Sequence, residues 1–399
     1  MKYATRIFSL LALSVSLILL AACGQSSNCS GISFGTGSGG GNQGGVNTGG
    51  SVCGAGSNNG GGGGSAADFV FYRGNNGTTN AINSAELTAT TFQVLSGVSA
   101  AVGNSTTGNM VVVNKQFLYL PDQNSSGGVM GFQISHSSGA LTAIAGSPFA
   151  APHAVTAIAA DPDSRGGRFL FVTDFNTGDV STYTIDSTSG VLTLVTSSPV
   201  TVLGLSATSL NVDGTGSYLY ATAGSTGGDV FGFLVDQNSG ALSPVLGSPF
   251  ALGAHNIQVS PDGAWVISTD GGNSVDVTPI EAGTGTLLTG STTNFPTVNF
   301  VGNVALSPNG NFLYACNTKS AMEGFQFSGG ALTALNGSPY TALSDIGGCQ
   351  FDQSGTALFG IVVPSNSISV RIMDPANGNV AGGIADLPVA TSNYFAVTN

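Results

Sequence analysis

Apolar positions from residue 67 onward come in short runs of two kinds. FLYL (117–120), FLFV (169–172), YLYA (218–221), WVIS (265–268), FLYA (312–315) and ALFGIVV (357–363) are almost continuous. Such runs suit strands covered on both faces. SVDVTPI (274–280) and ISVRIMD (368–374) alternate, which suits strands nearer to solvent. Residues 155–197 show how the runs combine. VTAIAA is followed by the polar turn DPDSRGG, then RFLFVTD, then DVSTYTID, then the turn STSG and VLTLVTS. Asp, Ser and Gly stand where the chain must reverse. The unit therefore predicts four short antiparallel strands.

The unit repeats. FLYLPDQNSSGGVMGFQISHSSGALTAIAGSPF (117–149) has clear counterparts beginning at Phe169 and Tyr218, and weaker ones at Trp265, Phe312 and Ala357. The prolines that close the copies stand at 148, 199, 249, 296, 339 and 388, spaced 43 to 51 residues. Several short strands per unit at this period predict a β-propeller. First strands fall near Met110, Val155, Ser209, Ile257, Val304 and Gly348, which gives six complete blades. The terminal YFAVTN (394–399) follows LPVATS as another first strand would. Its missing partners are expected at the other end, with DFVFYRGN as second strand, TATTFQVL as third and GVSAAVG as fourth. The expectation is an all-β, seven-bladed propeller over 67–399 with four-stranded blades. The C-terminal strand would close the ring inside the N-terminal blade and leave no unpaired inner edge.

Composition agrees. Only 7% of residues are charged and 61 are Gly, so the chain lacks the Glu, Lys and Arg that cover helices. The net charge of −12 argues against a nucleic-acid partner and against direct adsorption to anionic lipid. Residues 1–22 carry Lys2 and Arg6 and then IFSLLALSVSLILLAA, the pattern of an export signal. Residues 23–66 are Gly-, Ser- and Asn-rich, with five consecutive glycines at 60–64, and read as a flexible tether. Cys29 and Cys53 lie in that tether, either as a disulfide or as two thiols. Cys316 and Cys349 fall in successive blades, again as a disulfide or as two buried thiols.

Two resemblances add to this reading. LAAC at 20–23 resembles the lipobox of bacterial lipoproteins. It implies cleavage before Cys23, lipidation of its sulfur and anchoring by acyl chains alone. Gly24, rather than Asp, points to the outer membrane. The repeats of the form FLYVTN…SGALT…GSPF, with SPDG turns, resemble the YVTN and lactonase-like seven-bladed propellers over Ala67 to Asn399. Their enzyme branch resembles 6-phosphogluconolactonases and carboxymuconate lactonising enzymes. That branch implies a His after a Pro before one first strand, matched here by His153 in APHAV. It also implies Arg-His before another first strand and Asn-Glu after the next. Here GAHNIQVSPDGAWVISTDGG keeps His255, replaces the Arg by Ala254 and shortens the acid to Asp270.

Opening a lactone requires a base and a stabilised oxyanion. A phosphosugar also requires cations. The chain beyond the signal has only Arg73, Arg165, Arg168, Arg371, Lys115 and Lys319, in no visible cluster. Asp161, Asp163, Asp174 and Asp270 match no complete calcium loop and are explained as turn residues, and no zinc spacing appears. No metal and no cofactor are expected. Two functions follow from these residues. One is a tethered, monomeric binding or scaffold module for a protein, glycan or small molecule. The other is a lactone hydrolase with His153 or His255 as base and Asp270 beside it.

Overall fold

A computed structural model describes residues 68–75, 80–88, 91–102, 108–122, 127–152, 154–174, 177–202, 207–223, 227–317, 322–340, 346–362, 365–389 and 395–398. The expected tether, with Cys23, Cys29 and Cys53, and His153 lie outside them. The described residues form seven antiparallel sheets. Blade one contains Asp68–Asn75, Asn80–Leu87 and Phe92–Ala101, with Phe395–Val397 as its innermost strand. Blades two to seven begin with the inner strands Val111–Val113, Val155–Ala160, Ala207–Val212, Asn256–Val259, Val301–Leu306 and Ile346–Phe351.

The closure is explicit. Val397, Ala396 and Phe395 pair with Val70, Phe71 and Tyr72. Thr398 reinforces the joint: its amide donates to the Phe69 carbonyl at 2.8 Å and its hydroxyl accepts from the Phe69 amide at 2.7 Å. Seven apolar clusters lie between consecutive blades, from the one shared by blades one and two to the one shared by blades seven and one. No blade has a face without a neighbour, so the ring buries all its second strands. That explains why FLYL, FLFV and FLYA are continuously apolar.

Two strand assignments differ from expectation. In blade one the third strand is NAINSAEL (80–87), and FQVLSGVSAA (92–101) is a single outer strand. TATTFQVL instead begins between them, where the Thr88 amide donates to the Thr91 carbonyl at 2.8 Å. Asn, Ser and Glu made 80–87 look like a loop, yet Ala81, Ile82 and Ala85 supply a sufficient buried face. Blades three and four also carry a fifth short strand, Val200–Thr201 and Phe250–Ala254. Each pairs with the inner half of the third strand after the chain has turned at Ser-Pro. The serine of the motif bridges the interruption. Ser147, Ser198, Ser248 and Ser338 accept the third-strand amides of Gly131, Thr182, Gly232 and Gly324 at 2.9–3.1 Å.

The glycines of the SGAL-type turns join one blade to the next. A Cβ on Gly139, Gly190, Gly240, Gly285, Gly330 or Gly378 would overlap the ring of Phe69, Phe117, Phe169, Tyr218, Trp265 or Phe312 in the preceding blade. Three carbonyls in this set, those of Gly190, Gly285 and Gly378, also accept buried tyrosine hydroxyls from Tyr119, Tyr220 and Tyr314. Blade seven has Ala357 in place of the aromatic residue. There Phe92 of blade one fills the space, its ring edge-on to Phe359 at 6.0 Å.

Cys316 and Cys349 form a disulfide between blades six and seven, with Cα atoms 6.3 Å apart. Of the two states open from sequence, the structure contains the bonded one.

Candidate functional site at the upper face

The ring has two unlike faces. We call the upper face the one where first strands begin and second strands end. Val155 pairs with Asp174 there, and Asn256 with Thr269. The lower face carries the turns between first and second strands. These lower turns meet one another. Asp163 accepts the Asn114 amide of blade two at 2.8 Å and the Gln353 side chain of blade seven at 3.1 Å. The longer DPDSRGG turn thus reaches from blade three to a distant blade.

Arg165 and Arg168 are committed to this lower face. They flank the buried Asp161 at 3.7 and 3.6 Å, and both donate to Gln237 of blade four. Burial pushes the Asp161 carboxyl up, against the pull of the Arg168 amide and the two guanidinium groups. Lys115 lies in a lower-face turn as well. Arg371 is held by Asp386 at 3.6 Å on blade seven. None of these four cations approaches the upper end of blade five.

His255 is at that upper end. It is half-buried, and its amide donates to the Thr269 carbonyl at 2.6 Å. Asp270 follows Thr269, so histidine and acid flank the same end of one ladder. The Asp270 carboxylate is exposed and accepts the Gly272 amide at 2.6 Å within its own loop. Asp276, on the next strand, is half-buried. Burial pushes its carboxyl up, a 2.6 Å bond from Asn294 opposes the rise, and the charge of Asp270 adds to it. The structure therefore places two mutually repelling carboxylates on blade five, with Asp270 at the same ladder end as His255. Ala254, where the enzyme branch has Arg, is fully buried among Tyr220, Val230 and Phe250. A guanidinium there would enter an apolar core. His153 precedes the blade-three strand by two residues and lies outside the described residues.

Sequence reasoning missed Asn317 and Glu323 of blade six. Asn317 is fully buried and Glu323 is 5% exposed, and the amide donates to the carboxylate at 3.0 Å. The Val298 amide donates to the same oxygen at 2.8 Å. Phe300 and Val298, both exposed, lie on this chain crossing, with Phe300 beside Gly271. The available signal was rarity: Glu occurs only at 86, 281 and 323.

Comparison with known proteins decides the family. The profile described as Lactonase, 7-bladed beta-propeller matches residues 72–393. The chain belongs to this lactonase propeller family. Among solved structures, a putative 6-phosphogluconolactonase from Bacteroides fragilis aligns at 18% identity over 84% of this chain and 99% of that one, with TM-score 0.65. The periplasmic gluconolactonase PpgL of Pseudomonas aeruginosa aligns at 18% identity over the same shares, with TM-score 0.64. A Lactobacillus plantarum protein aligns at 18% identity, again over 84% and 99%, with TM-score 0.66. At such identities these likenesses show the fold. No curated protein matches the chain.

The upper face of this chain is rich in carboxylates. Among the described residues, Asp122, Asp174, Asp179, Asp229, Asp270, Asp276 and Glu323 occur at or near the upper ends of second and third strands. Arg73 is the one arginine in an equivalent place among them.

Proposed function

We propose that this lactonase propeller is a binding module of the bacterial cell envelope, using its upper face for an uncharged or cationic ligand. The observation that carries the reading is the set of carboxylates on the upper face, with Arg165, Arg168 and Arg371 ion-paired elsewhere, Lys115 in a lower-face turn and Arg73 the one arginine at an upper strand end among the described residues. A sugar phosphate would have to bring its dianion among those carboxylates with Arg73 as the one guanidinium at an upper strand end among the described residues. The lipobox-like LAAC and the Gly-rich segment support a lipid anchor at Cys23 and a tether to the outer membrane.

Isothermal titration with three probes tests the ligand class: 6-phosphogluconate, glucono-1,5-lactone and spermidine. The reading expects no saturable heat from the phosphate at millimolar concentration. Saturable binding of 6-phosphogluconate that C23S retains and H255A loses would refute it. The same C23S variant tests the anchor, since it should move the protein from the membrane fraction to the soluble fraction.

A second reading rests on family membership together with the shared ladder end of His255 and Asp270. In it the chain hydrolyses neutral lactones, with the imidazole of His255, or of His153, removing a proton from the attacking water. Asp270 would hold the imidazolium by its charge. The oxyanion would then be stabilised by backbone amides, because Ala254 provides no cation.

A further inference from the structure

The upper end of the interface between blades five and six is polar, in contrast to the apolar cluster below it. Asn317 and Glu323 face blade five, as do Ala315 and Phe325 on the same strands. Thr269 of blade five faces blade six, as does Ile267. All three polar residues are buried, at 0%, 5% and 0% exposure for Asn317, Glu323 and Thr269.

Their hydrogen bonding is incomplete in one sense only. The Asn317 Nδ2 and Val298 N groups both donate to Glu323 Oε1. Asn317 Oδ1 has no donor, and neither does Thr269 Oγ1. No ion pair to Glu323 occurs among the described residues. The interface end thus holds a buried carboxylate with two neutral donors on one oxygen, an amide oxygen without a donor and an idle hydroxyl. Burying an ionised carboxylate without a cation is costly, and a buried acceptor without a donor adds to that cost. Three oxygens, one of them a carboxylate's, thus face one another with fewer donors than they can accept. Oxygen donors of this kind, one carboxylate with neutral oxygens, suit a hard cation.

We infer that the carboxylate of Glu323 and the side-chain oxygen of Asn317 bind a hard metal cation at the upper end of the interface between blades five and six, with calcium as the fitting probe. Thr269 is placed to add a neutral ligand or to hold a metal-bound water. With one carboxylate the affinity belongs to the weak class of extracellular calcium sites, on the order of 10⁻⁴–10⁻³ M. The cation would fasten two blades and fix the Val298–Phe300 crossing, whose Val298 amide shares the Glu323 carboxylate. This inference is independent of the proposed ligand of the upper face.

Thermal unfolding of the full chain in EDTA and in rising CaCl2, with matched NaCl for ionic strength, tests it. Wild type should show a midpoint that rises and saturates in the millimolar range. E323Q keeps both donors on Oε1 but removes the charge. It should unfold no earlier than wild type in EDTA and should lose the calcium response. T269V keeps shape and removes the hydroxyl, and should weaken the response several-fold. A wild-type midpoint unmoved by calcium, or an E323Q variant that keeps the full response, overturns the site. The rival complement is the chain's own Lys319, close in sequence. If K319M destabilises wild type but not E323Q, and calcium has no effect, the cation is that ammonium and the metal site is refuted.

Discussion

At the scale of single residues, the glycines of the turns between third and fourth strands show most clearly how sequence becomes structure. Gly329 and Gly330 are adjacent in one such turn. Both have left-handed backbones, at φ +56° and +81°. A Cβ on Gly329 would meet nothing within 4 Å, whereas one on Gly330 would overlap the Trp265 indole of the preceding blade. G329A should therefore cost only the backbone term, about 1 kcal/mol. G330A should cost that and an overpacking term, about 2–4 kcal/mol in all. Urea unfolding of the two variants gives the comparison, and equal losses would deny the joint between blade and ring. The role of these glycines in turns was legible from SGAL. Their contact with an aromatic residue 65 to 73 positions earlier was not, because it depends on how the next blade is laid against the last. The same limit hid Glu323. A lone acid in an alternating strand reads as a solvent-facing residue until the neighbouring blade covers it.

At the scale of elements, the short terminal strand Phe395–Val397 does more than its length suggests. It buries Phe395, Ala396 and Val397 against blades seven, one and two. Losing the Phe and Val side chains alone forfeits about 3–6 kcal/mol, within reach of the whole stability of a domain. Deleting residues 395–399 should abolish the cooperative transition or lower its midpoint steeply, although no candidate site residue is removed. Circular dichroism against temperature is sufficient, and an unchanged midpoint would mean that the ring is closed by other contacts. This strand was legible because its pattern and its distance from the last proline matched five earlier first strands. The third strand of blade one was not. NAINSAEL is polar by composition, and its small buried residues Ala81 and Ala85 carry no strong β signal. The additional strands of blades three and four were missed for a different reason. Ser-Pro reads as the end of a unit, yet its serine hydroxyl takes over a ladder bond and lets pairing resume beyond the turn.

At the scale of the whole molecule, the ring separates two electrostatic environments. The lower face gathers Arg165 and Arg168 around a buried Asp161 and ties blade three to blades two, four and seven. The upper face collects carboxylates around the ends of second and third strands. Repetition accounts for much of this, since each blade offers the same turn positions to Asp. It also explains why the fold was readable in detail while the function was not. Seven copies reinforce the pattern of strands, but a site is made where copies depart from one another. Here the informative departures are Ala254 in place of a cation, Asp270 turned into its own loop, and Glu323 buried and bonded to the Val298 amide. We propose that this chain keeps the lactonase architecture without the chemistry of a phosphosugar lactonase. Hydrolysis of 6-phosphogluconolactone by the purified chain, followed against spontaneous opening and against H255A, tests it most directly. The account predicts a rate indistinguishable from the uncatalysed one for both proteins. Saturable turnover that H255A abolishes would contradict it.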